Sequence, residues 1–210
     1  MPVPSTQPRQ AYTDRAASEE ARRSESVELF WDPQHFIDEA APQGVRVARQ
    51  DEIPAAHRLA EELVGMTLAP VSASVAAHAR TKASIWVLDG HPPPEGHGGI
   101  TGVLVNLPLT AEGEIAILLG RFSAHAPDPE HLCAPGDPVS AMYIWFTGGS
   151  DLRGKTAVMR TAFAWRDGAY GGLRAYSRAA TGGGARGLAS LRFAPLELSH
   201  PGMMFCDKRR

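Results

Sequence analysis

The run Ala141-Met-Tyr-Ile-Trp-Phe146 is unbroken in apolar character and half aromatic. A short run of this kind reads as a central β-strand buried on both faces. Behind it come Gly148-Gly149 and then a helical period. Over Thr156 to Asp167, Val158, Met159, Ala162 and Phe163 fall on one stripe, Arg160 and Arg166 lie off it, and Gly168 supplies the stop.

The rest of the chain is arranged around that strand. A strand is expected at Val45-Arg-Val-Ala48. Asp51 is then placed to cap a helix whose first turn accepts Pro54 and whose apolar positions are Ile53, Ala56, Ala60, Leu63 and Val64, with Gly65 to end it. A smaller helix from Ser72 to Arg80 would put Val75, Ala76 and Ala79 on one face. Three short apolar runs, Ile85 to Leu88, Ile100 to Leu107 and Ile115 to Leu119, read as a three-stranded antiparallel meander. They are separated by Asp89 to Gly99 and by Thr110-Ala-Glu-Gly113. A Pro-rich loop, Ser123 to Pro138, precedes the central strand. A strand from Leu173 to Ala179, a weak helix from Gly184 to Leu191 and a closing strand from Phe193 to Leu198 follow the long helix. This order is α/β, with a mixed, mostly antiparallel central sheet flanked by helices, over 45–210.

Ahead of that domain, 1–26 carries almost no large apolar side chain and reads as a mobile tail, with a short helix around Ala17 to Arg23. Val27-Glu-Leu-Phe-Trp31 and His35-Phe-Ile37 make 27–44 an arm that docks on the domain. A net charge of -2 gives no overall pull toward nucleic acid or a membrane surface, so any anion site must be local. Cys133 and Cys206 are too few for a disulfide scaffold, and Met1 to Gln10 lack a signal peptide's apolar run. A cytoplasmic protein is expected.

One segment carries chemistry. Gly149-Ser-Asp-Leu-Arg-Gly-Lys-Thr156 matches the phosphate-loop pattern G-x-x-x-x-G-K-[ST] between an expected strand and an expected helix, so a nucleotide-binding protein is one reading. No apolar strand ending in Asp follows to hold magnesium. The second reading uses backbone N–H groups at a helix start, with the positive end of its dipole behind them, to hold a pyrophosphate.

The strand Tyr143-Ile-Trp-Phe146, the turn Arg153-Gly154-Lys155, an amphipathic helix, the strand Leu173 to Ala179, a short helix and Leu191-Arg192-Phe193 together resemble the second half of the GNAT superfamily of acyl-CoA N-acyltransferases. The resemblance covers about Val45 to Leu198 in outline and Tyr143 to Phe193 in motif. It implies that the loop before the helix wraps the pyrophosphate of coenzyme A while a splay of strands holds its pantetheine arm. Acetyl-CoA or another acyl-CoA would lie against Ile144, Trp145, Phe146, Asp151, Arg153, Gly154, Lys155, Thr156 and Ala157. The acyl group would pass to a small-molecule or peptide amine. Tyr143 and Tyr176, on the two splayed strands, are the candidate proton donors for the departing thiolate. The family's usual tyrosine, five residues before the last phenylalanine, is Leu188 here, and the glycine before that phenylalanine is Arg192. A catalytically silent coenzyme A-binding or regulatory module is therefore an alternative, and a homodimer is left open.

For the remaining polar groups the solvated-loop reading is the stronger one: Glu112, Glu114, His125, Asp128, Glu130 and His131. Cys133 has no positioned base for a nucleophilic role. His91, Glu95 and His97 flank a stiff triple proline that holds the imidazoles apart, so no metal site is expected.

Overall fold

The computed structural model describes 28–91, 96–196 and 202–207. The expected tail with its helix, Glu95, and the end of the closing strand at Glu197 and Leu198 lie outside these residues. The architecture is the expected α/β one. Its elements are α1 (Pro33–Ala40), β1 (Val45–Val47), α2 (Ile53–Val64), α3 (Val71–Thr81), β2 (Ile85–Asp89), β3 (Ile100–Leu109) and α4 (Ala111–Leu118), then β4 (Ala141–Gly149), α5 (Leu152–Asp167), β5 (Arg174–Arg178), α6 (Gly182–Ser190), β6 (Ala194–Pro195) and β7 (Met203–Cys206). The strands form one sheet in the order β1-β2-β3-β4-β5-β7-β6. Every pairing is antiparallel except β4 with β5. No helix among the described residues is long and apolar enough to cross a membrane.

β4 lies at the centre, as its apolar run requires, with Ala141 to Ile144 all buried. Met142 and Ile144 face a core built with α1, α5 and α6, where Trp31, Phe36, Trp86 and Trp165 meet. Tyr143 faces the other side, toward α3 and α4. Beyond it α2 packs Ile53, Ala56 and Leu59 on Ile85, Val87, Val103 and Val105. The expected arm, described from residue 28, docks through Trp31 and Phe36, 2% and 5% exposed, and the Trp31 indole N–H donates to the Thr81 carbonyl at 2.7 Å.

Several expectations are corrected. Ile115 to Leu119 is helical: the Thr110 side chain accepts the Gly113 N–H and caps α4, while Glu112 and Glu114 sit in its first turn, where the dipole favours acids. The meander is instead β1-β2-β3-β4. On α3 the buried face is Ser74, Ala77 and Thr81, and Ala76 and Ala79 are exposed. α5 begins at Leu152, four residues before the expected start, because Asp151 caps it through the Gly154 N–H. Its buried stripe therefore runs through Gly154, Ala157, Val158, Thr161, Ala162 and Trp165, leaving Phe163 36% exposed. The closing strand shrinks to Ala194–Pro195, and the unexpected β7 inserts between it and β5.

Asp51 does not cap α2. Glu52 stands at the N-cap position without a side-chain cap bond to α2; its carboxylate accepts the Arg49 N–H at 2.7 Å across the preceding 3-10 turn, Gln50–Glu52, and Asp51 pairs with Arg49. The Glu52 carboxylate also takes two bonds from Arg46, each 2.8 Å, and Arg46 in turn holds Asp89 at the end of β2. Arg46 holds the Glu52 carboxyl down to about 2, against an ordinary value of 4.5. A depressed carboxyl stabilises the fold above its unfolded value and loses that contribution as pH falls from about 4.5 toward 2. Arg46→Leu removes two bonds from the buried Glu52 carboxylate and leaves it to the Arg49 N–H and the exposed Arg49 guanidinium, 2.6 Å away. Allowing for the part-exposed guanidinium, it should lower stability by about 2 kcal/mol at pH 7. Urea unfolding along a pH series should show the wild type and variant converging as Glu52 protonates; a gap unchanged down to pH ~3 would contradict the assignment.

Candidate functional site

β4 and β5 run parallel for four rungs, from Ala141 opposite Arg174 to Ile144 opposite Ser177. Beyond that rung they part. β4 continues to Gly149 along β3 alone, whereas β5 ends at Arg178 and the chain runs through Ala179 and Ala180 to Thr181, whose side chain caps α6. Among the described residues no strand pairs with the β5-facing edge of β4 over Trp145 to Gly149. Trp145, Phe146, Thr147 and Gly148 there are half-buried. Backbone groups on such an edge are free to pair with an extended ligand.

A bulge lies at the same place. Val105 pairs with Phe146 and Asn106 with Ile144, so Trp145 has no opposite number on β3. The extra residue brings Trp145 and Phe146 to one wall of a small cleft of about 50 Å³ against α2 and α3. Bulges commonly re-aim side chains in this way beside functional sites.

At its far end β4 leads straight into α5, with only Ser150 and Asp151 between them. Arg153, Gly154, Lys155 and Thr156 are thus the first turn of the helix and not a loop before it. Two of that turn's amide groups are already used: Gly154 N–H goes to the Asp151 carboxylate at 2.5 Å and Lys155 N–H to the Asp151 carbonyl at 3.0 Å. The Ser150 N–H goes to the Thr101 carbonyl. What the turn presents outward is Leu152, 81% exposed, with Arg153, Lys155 and Thr156. Ala157 is buried beneath it.

The glycines of this segment have a packing reason. A Cβ on Gly154 would stand 2.3 Å from the Thr101 carbonyl oxygen, and one on Gly149 would stand 2.4 Å from the Lys155 nitrogen. Both keep the helix backbone hard against the sheet. The phosphate-loop pattern is present in sequence, but two residues cannot wrap a phosphate, and a carboxylate occupies the helix mouth.

Tyr143 and Tyr176 are brought together as opposite residues one rung before the strands part. Burial pushes the Tyr143 phenol up to about 12, and its ring packs 5.1 Å from Phe122. The Tyr176 phenol is raised further, by burial first and then by its hydrogen bond to Glu114 at 2.9 Å. Glu114 is no solvated loop residue: it also accepts from Arg174 at 3.2 Å and forms a short bond with Ser140, tying α4 to the starts of β4 and β5. Asp128 caps a turn through the Glu130 N–H, and His131 lies beside Phe122. Burial, then Asp137, pushes the Cys133 thiol up to about 12, which leaves it an inert thiol at neutral pH. His97 bonds Glu62 at 3.0 Å. Leu188, where the resemblance to GNAT proteins would place a tyrosine, is buried in the core.

The cleft beside Trp145 holds a group that sequence reasoning missed. His57 on α2 approaches Ser74 on α3, Nδ1 to Oγ at 3.4 Å, and Glu61 one turn on, Nε2 to Oε1 at 3.5 Å. His57 and Glu61 at i and i+4 were visible in the helical register; Ser74 joins them only through the docking of α3 on α2. The sequence matches no protein-family model, and no curated protein matches it significantly.

Proposed function

We propose that this chain is a divergent member of the GNAT superfamily and transfers an acyl group, most simply acetyl, from coenzyme A to an amine. The observation that carries the proposal is the open edge of β4 beyond Ile144, ending at the N-terminus of α5. The pantetheine arm has amide groups spaced along an extended chain, and such a chain can pair with a strand edge as an added strand would. Ile144, Trp145 and Phe146 line its path. The pyrophosphate lies at the α5 mouth, where the Leu152 and Arg153 N–H groups, the helix dipole and the Arg153 and Lys155 side chains offset the Asp151 carboxylate. The thioester then sits near the bulge at Trp145, beside the apolar cleft that takes the acceptor. Tyr143 is the proton donor for the thiolate, since the Tyr176 hydroxyl is committed to Glu114.

One observation favours a second reading, a coenzyme A-binding module without turnover. A phenol raised to about 12 gives up its proton slowly to a thiolate, and α6 offers Leu188 instead of an acid.

Calorimetric titration with acetyl-CoA and with ATP plus magnesium tests the proposal. Acetyl-CoA should bind and ATP should not. Lys155→Ala should weaken acetyl-CoA binding by no more than about tenfold, because an exposed lysine adds about 1 kcal/mol to a backbone site. Tight ATP binding abolished by that substitution, with no response to acetyl-CoA, would sink the proposal. Acetyl-CoA binding with no thiol release over a panel of amines would establish the second reading.

A further inference from the structure

We infer that Ser74, His57 and Glu61 form a proton relay that takes the proton of the acceptor amine, and that the acceptor is an amine with an apolar body. The inference rests on the acyltransferase reading and assigns the half of the site that reading leaves open. Three observations converge on one place. The cleft is walled by Ile53, Leu68, Val103 and Val105, by Trp145 and Phe146 from the bulge, and it contains His57 and Ser74. No carboxylate is among its lining residues. The histidine is oriented from behind, since Glu61 lies against Nε2 and is itself fixed by the Leu68 N–H at 3.0 Å.

The tautomer follows from these partners. Nε2 faces a carboxylate and carries the hydrogen, which leaves Nδ1 as acceptor for the Ser74 hydroxyl. This is the nucleophile–base–orienter arrangement, with Ser74 and His57 both lining the apolar cleft. In the proposed step the amine nitrogen forms its bond to the thioester carbonyl carbon. Its proton passes to Ser74 Oγ as Ser74 gives its own to His57 Nδ1, and Glu61 stabilises the imidazolium. Collapse of the adduct breaks the carbon–sulfur bond. The thiolate leaves and takes the Tyr143 proton; Tyr143 is reprotonated from solvent, to which His57 returns its proton, so amine and thioester become amide and thiol.

The lining sets the acceptor class. A polycation would leave extra ammonium groups among aliphatic and aromatic walls, at a desolvation cost no carboxylate there offsets. An arylalkyl or alkyl primary amine places its nitrogen at Ser74 and its body against Trp145 and Phe146.

The assay follows thiol release from acetyl-CoA with benzylamine, hexylamine and spermidine, on the full chain. Benzylamine and hexylamine should be used with a kcat/KM at least about tenfold above that of spermidine. His57→Ala should lower kcat with benzylamine by about a hundredfold or more while acetyl-CoA binds calorimetrically as to wild type, and added imidazole should restore part of the rate. Ser74→Ala should show the same loss, and Glu61→Gln, which keeps the shape but not the charge, about a tenfold loss. Unchanged kcat in His57→Ala, or a preference for spermidine, overturns the relay or the acceptor class while the acyltransferase reading stands. A wild type that binds no acetyl-CoA, or binds it and releases no thiol with any amine, overturns that reading and the relay with it.

Discussion

Trp165→Ala should lower the unfolding free energy by about 4 kcal/mol and the Tm by about 12 °C, the largest single-residue effect expected on this fold. The indole is fully buried on the inner face of α5, with its ring 4.8 Å from Trp86 and 5.3 Å from Phe36. Removing it opens a void in a cluster that also holds Trp31 and Tyr170, and aromatic rings of fixed shape refill such a void poorly. There is a polar component too. The indole N–H donates to the Phe36 carbonyl at 3.0 Å, so the truncated protein leaves that buried acceptor without its partner, at a further cost of about 1 kcal/mol. Trp165→Phe, which keeps most of the ring area and loses the donor, should cost about half as much. The same contact is what fastens α1 to the domain, so hydrogen exchange in α1 should accelerate in Trp165→Ala beyond what global destabilisation explains. A loss under about 1 kcal/mol in chemical denaturation would show that this cluster does not organise the fold.

The parts of the structure that sequence made legible are those where a single period decided the outcome. Ala141 to Phe146 had no polar face and read as a strand buried on both sides; Ala141 to Ile144 are buried, while Trp145 and Phe146 stay half-buried where β5 has left. The 3.6 period of α2, stopped by Gly65 in the left-handed region at φ 74°, was read nearly to the residue. The failures share a cause, which is that the deciding partner was distant in sequence or local in a way apolarity does not report. Ile115 to Leu119 has the composition of a strand, yet a threonine cap and two acids upstream commit it to a helix that leaves Ile115 and Leu119 half-exposed. α5 starts early because Asp151 caps it, and its first turn holds Gly154, a poor helix former by propensity, because a contact with Thr101 more than fifty residues earlier leaves no room for a Cβ. Met203 to Cys206 is too short to announce itself and becomes a strand only where β5 offers an edge. The same holds for the candidate site. The tyrosines and the β4 residues were nominated from their strand, while the His57 cleft needed α3 laid on α2 and a bulge in β4, neither of which has a sequence period.

Gly154 is where the sequence motif and the packing give opposite expectations, and Gly154→Ala separates them. If the glycine served a phosphate cradle, alanine would leave the empty fold intact and would gain about 1 kcal/mol of helix propensity. The geometry predicts the reverse. The added Cβ would lie 2.3 Å from the Thr101 carbonyl oxygen and 3.0 Å from its carbon, and these are main-chain atoms of β3 that no rotamer change can move. Either the first turn of α5 lifts off the sheet or β3 bends at Thr101, whose carbonyl also receives the Ser150 N–H. Overpacking of this kind costs about 3 kcal/mol, more than the propensity gained, so a net loss of about 2 to 3 kcal/mol is expected in urea unfolding. Gly187→Ala supplies the control in α6: its Cβ would meet nothing within 4 Å, so propensity acts alone and stability should rise by about 0.5 to 1 kcal/mol. Because the displaced turn is the proposed pyrophosphate site, Gly154→Ala should also weaken acetyl-CoA binding, and by more than Lys155→Ala does, since it moves the backbone amides themselves and not one exposed charge. A Gly154→Ala protein as stable as wild type, or more so, would mean that the close approach of α5 to Thr101 does not hold in solution.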